Sequence, residues 1–490
     1  AVKDYYSVNP DLADDPAQRL AEFDALIERT HAHGMNVLID IVPYHVARVY
    51  VSLAKPECVR DFGADDDTSV DYARDNNFYY VVGANFTAPE WPADYAPLGG
   101  DTHPLADGQF EESPAKWTGN GARAARPDFN DWYETVKVNY GVRPDGSHDF
   151  DDLPAGYAAK DCAAHREFWA DKDVPDSWQK FRDIALYWTA RGVDGFRYDM
   201  AEMVPVAFWS YLNCAIKAEN PDAFLLAEVY NPTLYRDYLR LGKMDYLYDK
   251  VGFYDALRPV MEGRAGIDGL PGVHASVAPM ADHMLHFLEN HDEQRIASDA
   301  FAGAARMGVP GMTVSALISR APVMLYFGQH VGDPTRTTIF DYWGVPTHQA
   351  WMNGGAFDGG GLNDDQRKLH DFYERLLKFA RDDASMRGSY LALHALNRAD
   401  SDGYDDRLYA FARWNGDRRV VVVANFNREP RDFGLRLPEA LANRWLDDTA
   451  TASLSDVLSN RTTTLTRDGA NVEIPVALEA MDAMVLVIEP

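Results

Sequence analysis

GVDGFRYDMAEMVP, Gly192 to Pro205, carries an apolar stretch of Val193, Gly195 and Phe196 and then ends on Arg197 and Asp199. The apolar part reads as a short strand, and the residues beyond it as the approach to a helix. Charged side chains are seldom buried unless paired or used, so Arg-x-Asp at a strand end marks a place that must be explained. Two residues apart on a strand, both side chains point to one side. There a guanidinium would keep the Asp199 carboxylate ionised.

The same strand-then-helix alternation extends outward from this stretch. Upstream, Asp15 and Pro16 form an N-cap and first-turn pair, and Leu20, Phe23 and Ile27 recur at helical spacing until Gly34. The run Val37 to Val42, apolar except for Asp40, follows as a strand expected to be buried on both faces. Phe181, Ile184, Ala185 and Trp188 mark a helix before the opening stretch, and the Phe208 to Ile216 helix precedes AFLLAEVY. MDYLYD from Met244, MLHFLENHD from Met284 and PVMLYFGQ from Pro322 complete six short apolar strands. The pattern predicts a parallel α/β architecture, and a closed barrel suits the length better than a doubly wound sheet, although periodicity alone leaves that choice open.

Two regions break the alternation. From Ala47 to about Pro175 the chain is rich in Gly, Pro, Asp and aromatics and is too long for a simple loop, which predicts an inserted subdomain. From about Tyr390 the pattern turns antiparallel: RLYAFARW, a turn at Asn415-Gly416 and RRVVVVANF form a hairpin signature, and MVLVIE closes the chain. The expected domains are therefore residues 1–46 and 176–388 for the barrel, 47–175 for the insertion and 389–490 for a β-sandwich. A chain of 490 residues has room for two or three such domains.

Composition narrows the function classes. The net charge of -29 repels phosphate backbones and argues against a nucleic-acid partner. No apolar run reaches the roughly 18 residues of a membrane-spanning helix. Cys58, Cys162 and Cys214 are too few and scattered for a disulfide framework or a Cys-x-x-Cys zinc site, and are expected to be inert buried thiols.

The charged residues at strand ends are Asp40 and His45, then Arg197 and Asp199, then Glu228, then His291 and Asp292. In a barrel of parallel strands these ends face one mouth. A single Asp at a strand end is more often a helix cap than a catalyst. Glu228, inside LLAEVY, is no cap, and a carboxylate desolvated there suits a general acid. A protonated acid beside an ionised nucleophile is glycosidase logic, with Asp292 as a third, charge-stabilising group. A metal-hydrolase reading would need histidines at fixed ligand spacing, and no His-x-x-x-His pair lies among these strand ends.

GFRYD, the Glu of LLAEV and the Asn-His-Asp of FLENHD, in this order on successive strand ends, resemble the conserved regions of the α-amylase family of glycoside hydrolases. Asp40 to His45 fits that family's earlier motif, DYYSVNP resembles the segment before it, and RPDFNDWYETVKVNYG is similar to bacterial α-amylases. The resemblance covers nearly the whole chain. It implies a (β/α)8 TIM barrel with an inserted subdomain after the third strand and a C-terminal β-sandwich.

Position by position, the resemblance implies that Asp199 is the nucleophile, Glu228 the acid and base, and Asp292 the transition-state stabiliser. Arg197, His45, His291 and Asp40 would hold the sugar and the nucleophile. The implied reaction is retaining hydrolysis, or transfer, of α-1,4-glucosidic bonds in starch-like glucans or maltooligosaccharides. No cofactor is needed for that chemistry, and such a substrate favours a secreted or periplasmic enzyme. An α-glucosidase or glucanotransferase of the same fold is the alternative. A non-catalytic, transporter-associated relative tends to lose the carboxylates, all three of which are present here.

The departures from the family are specific. Tyr44 stands where an Asn commonly binds structural calcium, so conventional calcium binding is in doubt, and Asp128 is the remaining metal-ligand candidate. Glu202 and Met203 stand where the family often carries Lys-His against the leaving-group sugars. The family's barrel has two strands before the segment resembling DYYSVNP, so a natural N-terminal portion of roughly a hundred residues is expected to precede Ala1. Aromatic residues of the insertion, among them Trp91, Trp117 and Trp132, are candidates as a group for a sugar-stacking surface.

Overall fold

The computed structural model describes residues 2–90, 111–336, 345–446, 451–469 and 471–488. They form two compact units, one up to Leu247 and one from Tyr248.

In the first unit α1 (Arg19–Ala32) leads into β1 (Leu38–Ile41), followed by the short strands β2 (His45–Ala47), β3 (Tyr80–Val81), β4 (Ala115–Lys116) and β5 (Thr135–Lys137). Then come α2 (Cys162–Trp169), α3 (Asp176–Ala190), β6 (Gly195–Tyr198), α4 (Val206–Glu219), β7 (Phe224–Ala227), α5 (Tyr235–Arg240) and β8, which begins at Tyr246. β1, β6, β7 and β8 pair in parallel in that order, with Asp40 beside Arg197 and Arg197 beside Leu226. Phe181, Ile184, Ala185 and Trp188 are the buried face of α3, as their spacing predicts. The sheet also needs Gly195: a Cβ there would lie 2.0 Å from the Phe224 carbonyl oxygen.

Two expectations change. β1 pairs with β6 alone among the described residues of this unit, so Leu38 and Asp40 stay accessible rather than buried on both faces. Cys162 and Cys214 are joined by a disulfide with a Cα separation of 4.9 Å, tying α2 to α4, and Cys58 is exposed. The pairing joins positions 52 residues apart that only the packing of two helices brings within bonding range.

Between β2 and α2, where an inserted subdomain is expected, the described residues carry little regular structure and several polar ties. β2 pairs with β5 and β3 with β4, while the Asp66 carboxylate accepts from the Asn77 and Phe78 amides and the Tyr80 hydroxyl. Arg48, buried, is ion-paired to Glu112 at 3.0 Å.

The second unit contains α6 (Asp255–Met261), α7 (Leu270–Ser276), β9 (Met284–Leu285), α8 (Gly308–Leu317), α9 (Pro346–Met352) and α10 (Asp364–Asp382). The sixth expected strand, PVMLYFGQ, is reduced to a parallel bridge between Val323 and His286. After α10 the chain runs through β10 (Ser389–Ala392), α11 (His394–Asp400), β11 (Leu408–Asn415), β12 (Arg418–Asn425), β13 (Arg431–Arg436), α12 (Glu439–Trp445), β14 (Thr451–Asp456), β15 (Thr462–Asp468), β16 (Asn471–Leu478) and β17 (Asp482–Ile488).

These eight strands join in one sheet, ordered β10-β11-β12-β17-β14-β15-β16-β13, antiparallel throughout. Alternation sorts their side chains into two cores. Leu408, Ala410, Val421 and Val423 join Leu435, Leu465 and Ile474 in one, while Tyr409, Phe411, Val420 and Val422 pack with Leu317 and Leu376 of α8 and α10.

Candidate active site

The parallel register of the first unit places Asp40, Arg197, Asp199 and Glu228 at the carboxyl ends of neighbouring strands. The Asp199 amide donates to the Ile41 carbonyl at 3.0 Å and the Glu228 amide to the Tyr198 carbonyl at 3.1 Å, extending both ladders one residue past the strands. Tyr198, pointing the other way, is buried with its hydroxyl donating to Asn213 Oδ1 at 2.8 Å, which fixes the side that Arg197 and Asp199 must take.

One guanidinium gathers three carboxylates. Arg197 Nη1 lies 2.8 Å from Asp199 Oδ1 and 3.0 Å from Asp40 Oδ2, and Nη2 lies 3.1 Å from Glu228 Oε2. Arg197 and Glu228 are buried, whereas the Asp40 side chain is 49% exposed. Desolvation pushes the Asp40 carboxyl up to about 7 against the pull of Arg197, with repulsion from Asp199 adding to it. Water reaching half of that side chain screens the effect.

Glu228 takes two further donors that the strand pattern does not announce. The Met200 amide donates to Oε2 at 2.9 Å, and the Tyr230 hydroxyl donates to Oε1. Met200 adopts φ 46°, a left-handed conformation that a residue with a side chain rarely takes, and this turn aims its amide at Glu228. Strain at this point comes directly after the proposed nucleophile. Tyr5 is a second residue the motifs do not reveal. Its buried hydroxyl donates to the Val42 carbonyl, and burial, with Tyr50, Asp199 and Asp40 nearby, pushes its pKa well above the ordinary tyrosine value.

His45 sits in β2 with its ring edge-on to Trp132 at 5.3 Å, and burial lowers its pKa to about 4, which keeps it neutral. No contact between His45 and the Arg197 cluster is found among the described residues. Trp132 is 38% exposed, whereas Trp117 is buried and stacked on Tyr79 at 4.5 Å, and Trp91 lies outside the described residues.

Glu202 and Met203 follow the cluster. Glu202 Oε2 accepts from the Tyr230 and Asn231 amides, both at 2.8 Å, so it holds the loop after β7. Met203 is 49% exposed and, with Glu202, Tyr79, Lys137 and Tyr238, lines a cavity of about 390 Å³. Asp128 is exposed and uses Oδ1 to accept from the Asn130 amide at 3.0 Å, and it joins no group of three potential metal ligands among the described residues.

Asp292 and His291 belong to the second unit. Asn290 Oδ1 accepts from the Asp292 and Glu293 amides at 2.9 and 2.8 Å, a turn that leaves Asp292 exposed with His291 Nε2 at 3.3 Å. The preceding Glu289 is buried, accepts from the Ile296 amide at 2.7 Å and pairs with Arg295, closing the far side of the same loop. Desolvation raises the Glu289 carboxyl to about 7, opposed by that amide and by Arg295.

The family model for the C-terminal all-beta domain of α-amylases matches residues 399–489. The chain is similar to neopullulanase 2 of Thermoactinomyces vulgaris, 24% identical over 278 residues that make up 56% of this chain and 44% of that protein. It is also similar to the α-amylase MalA of Haloarcula japonica, 28% identical over 333 residues, 63% of this chain and 40% of that one. The chain thus spans less than half the length of these two curated relatives. Among solved structures, the α-amylase from H. orenii aligns with a TM-score of 0.63 at 17% identity, covering 100% of this chain and 86% of that one. The α-amylase from Geobacillus thermoleovorans, complexed with acarbose, aligns with a TM-score of 0.60 at 17% identity, covering 100% and 84%. At this identity the structural likeness shows the fold: the α/β barrel class followed by an antiparallel C-terminal domain.

Proposed function

We propose that this chain, similar in its motifs and fold to the α-amylase family of glycoside hydrolases, cleaves α-1,4-glucosidic bonds in starch-like glucans or maltooligosaccharides by a retaining route. The observation that carries the reading is the Arg197 guanidinium shared by Asp199 and Glu228 at 2.8 and 3.1 Å. Two carboxylates at one strand-end site, one ionised and one able to exchange a proton, are what retaining chemistry needs.

Asp199 attacks the anomeric carbon while Glu228 gives its proton to the departing glucosidic oxygen. Water, deprotonated by Glu228, then cleaves the glycosyl ester. Arg197 orients Asp199, and the Met200 amide and Tyr230 hydroxyl hold Glu228 between the two steps. By the resemblance alone, Asp292 would stabilise the charged transition state, and His45, His291 and Asp40 would hold the sugar. Trp132, half open beside His45, offers a stacking face. The cavity at Met203 and Lys137 would take leaving-group sugars, with an apolar contact and a cation in place of the family's usual Lys-His pair.

The test is hydrolysis of maltoheptaose and starch with the product anomer followed by NMR. α-Anomers are expected, and β-anomers would overturn the retaining route. Asp199→Asn and Glu228→Gln should each lower turnover by about a thousandfold or more. Mixed long oligosaccharides mark endo action, glucose alone an exo-glucosidase, and longer products than the substrate a transferase.

A further inference from the structure

A cluster of metal-binding side chains lies in the second unit, apart from the residues of the proposed chemistry. His370, Asp371 and Glu374 on α10 each present one ligand atom, all within 4.8 Å of one another. His370 and Glu374 are four residues apart on the helix and so share a face, and Asp371 is three residues before Glu374. The His330 ring faces this group from another element, its centroid 5.6 Å from that of His370.

His330 is held in place from both sides. It lies in the single turn Gln329–Val331, between Gly328 and Gly332, which take φ 79° and 72°. Buried Gln329 donates to the Tyr373 hydroxyl of α10 at 3.1 Å, anchoring the turn to the helix that carries His370. Trp351 packs edge-on against the His330 ring at 5.2 Å and limits its movement away from α10. No hydrogen bond from either imidazole to the protein is found among the described residues.

We propose that His330, His370 and Glu374, with Asp371 as a fourth donor, bind one divalent transition-metal cation of the zinc class, clamping the 329–331 turn to α10. Imidazole with carboxylate suits zinc, cobalt or nickel, whereas calcium and magnesium prefer oxygen ligands alone. His330 stands outside that 4.8 Å group and must turn a ring nitrogen toward it, while zinc bonds of about 2.0–2.2 Å require the three α10 donors to close in by roughly an ångström. Rotation of the exposed Asp371 and Glu374 side chains supplies that movement.

The full chain, freed of any affinity tag and treated with EDTA, is titrated with ZnCl2 by calorimetry and with CoCl2 by visible absorption. One equivalent is expected to bind in roughly the micromolar range. His330→Ala and His370→Ala should each weaken binding by about tenfold or more, as should Glu374→Gln, whose exposed position leaves folding unaffected. Asp365→Asn, on the same helix, should bind as the parent does. Thermal melts of each variant confirm folding, and zinc should raise the parent's melting temperature. Absence of saturable binding at millimolar zinc, or affinity unchanged in either histidine variant, would overturn the proposal.

Discussion

Arg197 Nη1 sits 2.8 Å from Asp199 Oδ1, two residues along the same chain, and this contact organises the rest of the cluster. The same guanidinium also holds Asp40 and Glu228, so it is the common anchor of three carboxylates. Lysine would keep the charge but not the planar fork. Arg197→Lys should therefore lower kcat/KM on maltoheptaose by about a hundredfold, through misplaced carboxylates. Unchanged kinetics would remove Arg197 from its anchoring role.

Tyr230 is the partner of Glu228 that no motif names. Tyr230→Phe deletes one hydrogen bond to the acid–base carboxyl and keeps the ring, so kcat should fall by about tenfold with a smaller change in KM. A KM effect alone would assign Tyr230 to substrate binding instead.

Glu289 gives the loop of Asp292 a pH dependence. Its carboxyl is raised to about 7 in the fold, above the usual glutamate value near ~4.3. The stability it contributes is fully present below about pH 4 and is lost as pH rises through about 7, because the native state binds the proton more tightly. Thermal melts of the parent and Glu289→Gln should show the parent losing ground steadily between those limits. A difference that stays constant with pH would contradict this.

The Cys162–Cys214 disulfide closes a loop between positions 52 residues apart. The chain-entropy model assigns about 4 kcal/mol to a loop of that size. Melting with and without dithiothreitol, and of Cys162→Ser, should show a drop of several degrees. Turnover at 25 °C should hardly change, since neither cysteine touches the strand-end cluster. Equal melting temperatures would mean that α2 and α4 hold together by packing alone.

Residue order alone carried the strand-and-helix alternation, the face of α3 and the pairing of Arg197 with Asp199, because periodicity and a two-residue offset are local geometry. The β11–β12 hairpin was legible for the same reason, though its two turn residues are Gly416 and Asp417, with Asn415 paired to Arg418. The disulfide, the exposure of β1 and the shrinking of PVMLYFGQ to a bridge were not, since each depends on what another segment does. Glu202 is instructive: read as a sugar contact, it is occupied in holding the loop after β7.

The sequence by itself determined which carboxylates end which strands, and so the kind of chemistry to expect. Only the tertiary structure decided that Asp40, Asp199 and Glu228 share one cation, and that the Met200 amide and the Tyr230 hydroxyl serve Glu228. Those contacts depend on parallel register across β1, β6 and β7 and on one left-handed residue. Both are settled by packing and hydrogen bonding between segments rather than by the order of residues within them.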